Sequence, residues 1–223
     1  MEREAATPQL EVWRSEFGRK YTDRNPITVD EMDRELGEYC GCGRKSDLFR
    51  QFVPPERIPA GRVLEVGSNV GAQLKILQTV NPGLELYGLE PMEYALEKGR
   101  ASYADITFVP GTAFDIPFKD NYFDLVMTNT VLIHIHPNDL RRALAEIHRV
   151  SRRYIHFHEY YADTPTEITY HEQKGLLWKT NFMERYLDLF PDLAVVDVRY
   201  LNYPDTATRA PLTDQVGLLE KRA

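Results

Sequence analysis

Two short segments, each ending in chemically distinctive residues, constrain the fold of this chain most strongly. The first runs from Arg62 to Gly71 (RVLEVGSNVG) and has the pattern of a buried strand followed by a glycine-containing turn. The second runs from Leu86 to Glu90 (LYGLE) and has the pattern of another buried strand, ending in a carboxylate. A glycine turn lets a ligand approach the backbone, and an acid after the next strand accepts hydrogen bonds from ribose hydroxyls. The 19-residue spacing from Gly71 to Glu90 therefore predicts a nucleoside-containing cofactor across the ends of two parallel strands.

Strand and helix patterns alternate through most of the chain. Apolar strand patterns occupy 63–66, 84–89, 106–109, 123–128, 154–158, 194–201 and 215–220, and helical patterns occupy 70–80, 91–103, 137–150 and 181–190. Alternation of this kind predicts parallel strands joined by right-handed crossovers, with helices on both faces of the sheet. The last two strand patterns have no helix between them. We therefore expect an α/β fold with a Rossmann-like, doubly wound sheet, mostly parallel, with one antiparallel strand from a C-terminal hairpin.

The segment before the first strand is predicted to be helical. Leu10, Trp13 and Phe17 are apolar at helical spacing, which predicts one helix over 9–20. A second helix is expected over 29–39, and Ser46 is a candidate cap for a third that ends at Phe52. Three prolines between 54 and 59 indicate a linker. We expect an N-terminal helical lid or extension over 1–58 and a catalytic region over 59–223, within a single domain overall.

Composition and charge exclude several classes of protein. A hydrophobic content of 43% supports a folded core, and no apolar run approaches the length that spans a bilayer. The net charge of −7 disfavours nucleic acid as a partner, since such proteins need a basic face. Cys40 and Cys42 are separated by one residue, which is too close for the usual zinc spacing. We expect a cytoplasmic monomer or homodimer that acts on a small-molecule acceptor and does not bind a membrane.

The motifs resemble those of class I S-adenosylmethionine-dependent methyltransferases. Residues 63–71 (VLEVGSNVG) are similar to the first motif of that family, and Glu90 occupies the place of the acid in the second. Residues 110–115 (PGTAFD) and 123–129 (FDLVMTN) are similar to the third and fourth motifs. The resemblance covers residues 60 to 160, and it implies S-adenosylmethionine as the cofactor.

A closer resemblance extends toward both ends of the chain. Residues 13–25 (WRSEFGRKYTDRN) look like the N-terminal segment of the small methyltransferases associated with pseudaminic acid and related glycan clusters. Residues 131–137 (VLIHIHP), 158–161 (HEYY) and 175–182 (GLLWKTNF) are similar to that group too. This resemblance narrows the biological setting without identifying the acceptor, because membership of a family is an analogy and not a site argument.

The resemblance assigns cofactor contacts that physical chemistry can support. Glu65 is expected near the amino group of the cofactor, Glu90 at the ribose diol, and Thr112, Ala113 and Phe114 around the adenine. Trp13, Phe17 and Tyr21 are expected to form an aromatic wall that stabilises a sulfonium, although Trp13 and Phe17 suit simple helix packing equally well. Tyr21 and Arg24 are expected to lie beyond the helix, with Arg24 on the carboxylate of the cofactor. The full predicted set is Trp13, Tyr21, Arg24, Glu65, Gly67, Asn69, Gly71, Glu90, Pro91, Gly111, Thr112, Ala113 and Asn129.

Histidines near the strand ends are the candidate general bases. Methyl transfer to a hydroxyl needs a group that accepts the proton, and histidine has a suitable pKa. His134 is the first candidate, with Glu159 or His158 as the second. His156 and His158 share one face of a strand, so one of them can instead be a hydrogen-bonded core residue. His134, His158 and Glu159 are not spaced in the sequence as metal ligands usually are, and we expect no bound metal.

An insert over 160–180 is rich in aromatic and polar residues. It predicts a lid over the acceptor, with an interface loop and a plain surface loop as alternatives. The candidate acceptor-binding residues are His136, Tyr160, Tyr161, Tyr170 and Trp178. The predicted function is S-adenosylmethionine-dependent O-methylation of a small hydroxylated metabolite, either a sugar or a sugar nucleotide. The alternatives are a nicotinamide-dependent oxidoreductase, disfavoured by Asn69 at the glycine turn, and a cofactor-binding module without turnover.

Overall fold

The computed structural model describes residues 7–24, 28–39, 43–204 and 211–222, and it places a seven-stranded sheet at the centre of the molecule. The strands of this sheet are β1 (Gly61–Val66), β2 (Leu84–Glu90), β3 (Ile106–Pro110), β4 (Phe123–Asn129), β5 (Ser151–Tyr160), β8 (Leu193–Pro204) and β9 (Pro211–Lys221). A separate two-stranded hairpin consists of β6 (Thr166–Tyr170) and β7 (Gln173–Lys179). The helices are α1 (Pro8–Arg14), α2 (Glu16–Asp23), α3 (Val29–Tyr39), α4 (Lys45–Phe52), α5 (Ala72–Val80), α6 (Glu93–Ser102), α7 (Pro137–Val150) and α8 (Phe182–Leu189).

The strand order is β3-β2-β1-β4-β5-β9-β8, so β2 and β3 are added on one side of β1 and β4 and β5 on the other. The order of the strands therefore reverses between β1 and β4. All pairs from β3 to β5 are parallel, while β9 is antiparallel to both β5 and β8. This arrangement confirms the predicted fold class, including the single antiparallel strand. In an open sheet of this type, ligands bind outside the carboxyl ends of the strands at the reversal point.

Two apolar layers bury the two faces of the sheet. On one face, Phe49 and Phe52 of α4 are fully buried and share a core with the side chains of α5 and alternate residues of the strands. On the other face, α7 and α8 pack on the remaining strand residues through Leu144, Ile147 and Tyr186. Because α3 and α4 contribute to the same core as the sheet, the N-terminal helices are part of the packed structure.

The N-terminal helix expected over 9–20 is two helices. Ser15 ends α1 and begins α2: its hydroxyl donates to the carbonyl of Val12 and accepts from the amide of Phe17 at 3.2 Å. This dual capping turns the chain at one residue. Tyr21 consequently lies inside α2 and Arg24 is its C-cap, whereas both were expected beyond the helix.

Two other local expectations, for the helix near Ser46 and for the insert over 160–180, differ from the structure. The helix for which Ser46 was the candidate cap is α4, and it begins at Lys45, so Ser46 lies inside the helix and does not cap it. The amide and the hydroxyl of Ser46 both donate to buried Asp33. The insert over 160–180 contains the β6–β7 hairpin, for which its sequence has no strand pattern that we identified. Cys40 and Cys42 lie outside the described residues. None of the described helices is long and apolar enough to cross a bilayer.

Candidate functional site

A cavity of about 410 Å³ lies at the carboxyl ends of β1, β2 and β4, under α1, α2 and α3. It contains most of the predicted cofactor-binding residues and one predicted catalytic residue. The predicted residues that line it are Trp13, Tyr21, Glu65, Gly67, Asn69, Glu90, Pro91, Gly111, Thr112, Ala113, Asn129 and His134. Sequence motifs far apart in the chain therefore meet at one place in the fold.

The turn after β1 has the backbone conformation that its sequence predicted. Gly67, Asn69 and Gly71 all adopt positive φ, at 70°, 48° and 82°, and asparagine is among the few residues other than glycine that tolerate this region. A Cβ on Gly67 would lie 2.6 Å from the side chain of Val131, so the turn sits tightly against the segment after β4. The amides of Gly67 and Ser68 both donate to the carbonyl of Leu89, which ties the turn to β2.

Gly71 has a role different from the expected one. A Cβ at this position would lie 2.8 Å from the ring of Phe108, so its close approach is to β3 and not to the cavity. Gly71 is also the N-cap of α5 in the left-handed conformation. It shapes the turn and packs the helix on the sheet, while Gly67 borders the cavity.

Glu90 is held by backbone amides at the end of β2. Its carboxylate accepts from the amide of Asn69 at 2.9 Å and from the amide of Met92 at 3.1 Å. Burial raises the pKa of Glu90 to about 7, against the opposing effect of these two amides. Each carboxylate oxygen keeps a lone pair in addition to the one that accepts the amide, so the side chain can still bind a pair of hydroxyls.

Glu65 is more deeply buried, and one of its oxygens has no described partner. Asn129 on the neighbouring strand donates to Oε1 at 3.3 Å, whereas Oε2 has no hydrogen bond to any described residue. Burial raises the pKa of Glu65 to about 8. A ligand ammonium at this point would supply the missing donor and favour the ionised carboxylate.

Further buried oxygens around Glu65 also lack hydrogen-bond partners among the described residues. They belong to four residues that line the same cavity: Ser68, Asn69, Gln73 and Asn129. Buried polar atoms are rarely left unpaired, since each costs about 1–3 kcal/mol. This set of acceptors fits a ligand that presents several hydrogen-bond donors, such as an ammonium group and hydroxyls.

The N-terminal helices contribute an aromatic wall. The Trp13 ring lies 5.4 Å from Phe17, 5.2 Å from Tyr21 and 4.7 Å from His134, each in an edge-to-face arrangement. Trp13 and Tyr21 line the cavity, whereas Phe17 contacts Tyr170 and His171 on the hairpin. Arg24 is exposed at the end of α2 with its guanidinium 5.8 Å from the Tyr21 ring centre, and it is not among the residues lining the cavity.

His134 lies in a short 3₁₀ turn, Leu132–His134, between β4 and α7. Its Nδ1 is 2.8 Å from the carbonyl oxygen of Leu176 on β7, so Nδ1 carries the hydrogen and Nε2 is left as an acceptor. Burial lowers the pKa of His134 to about 4. The imidazole is therefore neutral at pH 7, with its tautomer set by the hairpin, and it borders the cavity.

Glu159 does not line the cavity, and we revise its assignment as a general base. It is fully buried and accepts hydrogen bonds from the amides of Val131 and Ile133, at 3.2 and 3.3 Å. Burial raises the pKa of Glu159 to about 7, and the backbone amides of Leu132, Val131 and Ile133 oppose this shift. These contacts hold the 3₁₀ turn in place, so Glu159 positions His134 from behind.

His158 is also revised, because it belongs to a buried polar network on the opposite face of the sheet from α7. Its Nδ1 contacts the ammonium of Lys45, and its Nε2 is 2.7 Å from the carboxylate of Asp214, which also accepts from the hydroxyl of Tyr203. Burial first, and then the charge of Lys45, lower the pKa of His158. The network, defined by Lys45, His158, Asp214 and Tyr203, joins α4 to β5, β9 and β8.

The predicted acceptor-binding residues divide between two places. Tyr170 lies 5.2 Å from His134, beside the first cavity. His136 is the N-cap of α7, and its ring lies 5.0 Å from Trp178, which lines a second cavity. The ammonium of Lys179 lies 5.6 Å from the ring centre of Tyr160. Tyr161 donates a hydrogen bond to Asp163 and its ring packs edge-to-face on Tyr200. The hairpin thus reaches the first site chiefly through Tyr170 and Leu176.

Several lining residues were not predicted from the sequence. They are Thr7, Gln9, Leu10, Met32, Glu35, Val66, Ser68, Val70, Ala72, Gln73, Met92, Thr130, Val131 and Ile135. Leu10 lies one helical turn before Trp13, so the spacing of these two residues was a usable signal. Among the described residues, no group of three or more His, Cys, Asp or Glu side chains could hold a metal ion.

Comparison with known proteins agrees with this geometry. Residues 64–154 match a family model described as "Methyltransferase domain". The demethylmenaquinone methyltransferase of Renibacterium salmoninarum is 33% identical over 95 residues, covering 43% of this chain and 38% of that protein. The enzyme of the same name from Symbiobacterium thermophilum is 29% identical over 146 residues, covering 61% and 55%. The matched region thus spans little more than half of these relatives at most.

A solved structure extends the likeness over the whole chain. The Burkholderia thailandensis 1,6-didemethyltoxoflavin-N1-methyltransferase, solved with 1,6-didemethyltoxoflavin and S-adenosylhomocysteine, superimposes with a TM-score of 0.68 at 19% identity. The match covers 100% of this chain and 94% of that one. At this identity the likeness concerns the fold. Together with the family match over residues 64–154, it indicates that the chain has the fold of the methyltransferases to which it is similar.

Proposed function

We propose that this protein is an S-adenosylmethionine-dependent methyltransferase that methylates an oxygen atom of a small hydroxylated metabolite, such as a sugar or sugar nucleotide. The observation that carries the proposal is the pair of buried carboxylates, Glu65 and Glu90, on adjacent strand ends beside unpaired acceptor atoms. The family match and the names of the relatives support the reaction class.

The cofactor supplies a methyl group activated by a cationic sulfonium. Glu90 binds the ribose hydroxyls, and Glu65 binds the ammonium of the aminoacyl end. Thr112 and Ala113 border the adenine, in a loop where the hydroxyl of Thr112 accepts from the amide of Phe114 at 3.2 Å. The aromatic wall of Trp13 and Tyr21 covers the sulfonium side and excludes water.

His134 acts as the proton acceptor. The acceptor hydroxyl would donate a hydrogen bond to Nε2, and Nε2 would take up the hydroxyl proton as the oxygen receives the methyl group that the cofactor would supply. Leu176 keeps the imidazole in the reactive tautomer through its hydrogen bond to Nδ1. The pKa of about 4 leaves Nε2 of His134 unprotonated at pH 7, so this nitrogen can accept a proton.

The resemblance of the N-terminal segment to methyltransferases of glycan clusters favours a sugar-type acceptor. The named relatives suggest a different chemistry, because their names refer to demethylmenaquinone and to a toxoflavin precursor. A half-apolar sugar ring and a flat heteroaromatic ring both suit the aromatic surroundings of His134. The acceptor panel therefore has to contain both classes.

Calorimetric titration tests the cofactor, and mass spectrometry tests the acceptor. S-adenosylmethionine and S-adenosylhomocysteine are expected to bind with micromolar affinity, while NAD, the control for an oxidoreductase, is expected not to bind. A panel of nucleotide sugars, glycan intermediates, quinols and heteroaromatic amines is then screened for a mass gain of one methylene. Binding of NAD alone by folded protein would refute the methyltransferase proposal.

The role of His134 is tested by comparing His134→Gln with His148→Gln. His148 lies on α7 with its ring stacked on Phe190 and bonded to Asp192, away from the cavity. His134→Gln is expected to lower kcat by about 100-fold or more with little change in cofactor affinity, which is the range of general-base catalysis. Equal turnover of the two folded variants would remove His134 from the mechanism and leave the cofactor assignment standing.

A further inference from the structure

A second cavity, of about 390 Å³, lies between α7, α8 and the hairpin strand β7. Its lining includes Leu132, Leu144, Trp178 and Phe182 at the base and Arg141 and Arg185 at the edge. None of the roles proposed for the methyl-transfer site uses this space. Its volume lies within the range of small-molecule binding sites in proteins.

The floor of the second cavity is apolar and belongs to the core of the molecule. Leu132, Leu144 and Phe182 are almost completely buried, and Trp178 presents its indole from β7. Side chains fixed in a core do not need to be reordered when a ligand arrives. The floor therefore suits the apolar body of a ligand, which would gain free energy as its surface leaves water.

The rim of the second cavity is cationic. Three basic side chains, Arg141, Lys179 and Arg185, line it together with one carboxylate, Asp188. Arg141 and Arg185 form no ion pair with any described carboxylate; Arg185 donates to the hydroxyl of Thr180 at 3.3 Å. A local excess of positive charge stands out in a chain whose net charge is −7. Arginine presents a planar fork that matches carboxylate groups.

The two cavities lie on either side of the same short segment. Ile135 lines both of them, while His134 lines the first and Leu132 the second. The segment is held from behind by Glu159 through the amides of Val131 and Ile133. A ligand in the second cavity would thus touch the turn that carries His134 without entering the cofactor site.

We propose that the second cavity binds an organic carboxylate with an apolar body, of which a medium-chain fatty acid is the simplest representative. The apolar part lies against Trp178, Leu144 and Phe182, and the carboxylate lies at the rim beside Arg141 and Arg185. The proposal does not depend on the identity of the methyl acceptor, because it rests on a different cavity.

The two tryptophans allow the two cavities to be observed separately. Trp13 lines the first and Trp178 the second, and the chain has no others. In the Trp13→Phe variant, all tryptophan emission reports on the second cavity, and in Trp178→Phe it reports on the first. Each variant is titrated with decanoate, and with decanol as the uncharged probe, below the concentrations at which these probes aggregate.

Decanoate is expected to change the emission of the Trp13→Phe variant in a saturable way, and to leave Trp178→Phe nearly unchanged. Decanol is expected to bind at least 10-fold more weakly than decanoate. The double substitution Arg141→Gln and Arg185→Gln, made in the Trp13→Phe background, should lower the affinity for decanoate about 10-fold or more. The control Arg199→Gln, an exposed arginine on β8, should not lower it.

Three results would overturn the proposal. The first is a decanoate response carried by Trp13 instead of Trp178, which would place the ligand in the methyl-transfer site. The second is equal affinity for decanol and decanoate, which would remove the role of the cationic rim. The third is the absence of any saturable response in folded Trp13→Phe protein. Cofactor titrations of the same variants show whether the first site remains intact, so failure here is distinguishable from failure of the proposed function.

Discussion

Replacing Glu65 with glutamine should stabilise the protein while weakening cofactor binding. Burial raises the pKa of Glu65 from 4.5 to about 8, so at pH 7 the folded protein holds a proton that the unfolded chain has released. Keeping this proton lowers the free energy of unfolding by about 1.4 kcal/mol for each pH unit above the ordinary pKa, which amounts to about 3 kcal/mol at pH 7. Glutamine has nearly the same shape and needs no proton. Glu65→Gln should therefore gain about 3 kcal/mol of unfolding free energy at pH 7.

The stability gained by Glu65→Gln should increase with pH. Between the ordinary pKa and the raised one, the folded state binds more protons than the unfolded state, and wild-type stability falls as pH rises. The advantage of Glu65→Gln should be about 1 kcal/mol or less at pH 5, increase through pH 7, and level off above pH 8. Urea unfolding at several pH values measures it, with m-values showing whether the unfolding transition is otherwise unchanged.

Two comparisons make the test specific. The control is Glu85→Gln, an exposed glutamate on the same strand as Glu90, for which a stability change within about 0.5 kcal/mol is expected. Calorimetry on Glu65→Gln should show at least 10-fold weaker binding of S-adenosylhomocysteine, because the ligand ammonium loses its carboxylate. A stability gain that is the same at pH 5 and pH 8, or no gain at all, would refute the argument from burial.

Three further predictions follow from single contacts. Glu90→Gln should weaken cofactor binding by about 10-fold to 100-fold in calorimetry, since a neutral amide binds hydroxyls less strongly than a carboxylate does. Gly71→Ala should lower the free energy of unfolding, measured in urea, by about 2 kcal/mol or more. Its control, Gly175→Ala, has positive φ but open space around it and should lower this free energy by only about 1 kcal/mol. Equal losses in the two variants would show that the contact of Gly71 with β3 is unimportant. Lys45→Met should raise the pKa of His158, followed by NMR titration, because the cation that lowers this pKa is removed; an unchanged pKa would contradict the buried network.

Much of the sheet, and many of the residues that line the first cavity, were predictable from the sequence. Strands buried on both faces are continuous apolar runs, and the helices between them have clear periodicity, so the alternation is evident without tertiary information. Glu90 was identifiable because it ends a strand 19 residues after the glycine turn, whereas Glu65 was identified from the resemblance of residues 63–71 to the first methyltransferase motif. The structure places them on neighbouring parallel strands, paired through Glu65 with Gly88 and Val66 with Leu89.

The β6–β7 hairpin was not predictable by the usual signals. Its turn residues, His171 and Glu172, both have positive φ, at 46° and 63°. Tight hairpin turns with this conformation normally contain Asn-Gly or Asp-Gly, which the sequence lacks here. Contacts outside the turn compensate, because the ring of Phe17 lies 5.8 Å from His171 and Gln9 donates to the carbonyl of Gly175. Such contacts are determined by the folded structure and leave no local pattern.

The candidate bases illustrate a second limit. His134 follows β4, and His158 and Glu159 lie near the end of β5, so the sequence pattern places all three at the same edge of the sheet and does not distinguish them. Their roles differ because of partners that are remote in the chain: His158 lies 113 residues from Lys45 and 56 from Asp214. Glu159 is occupied by amides of the 3₁₀ turn. Only the three-dimensional arrangement leaves His134 beside the cavity.

The position of β9 has a consequence for the order in which the molecule assembles during synthesis. β9 lies between β5 and β8 in the sheet, and it is the only strand with which β8 pairs among the described residues. Until residues 211–221 have left the ribosome, β5 therefore has an open edge, β8 has no place in the sheet, and His158 lacks Asp214. Such long-range pairing slows folding and exposes strand edges to other chains. We expect nascent chains that end before β9 to depend on chaperones, while chains that include β9 close the sheet at that edge in one late step.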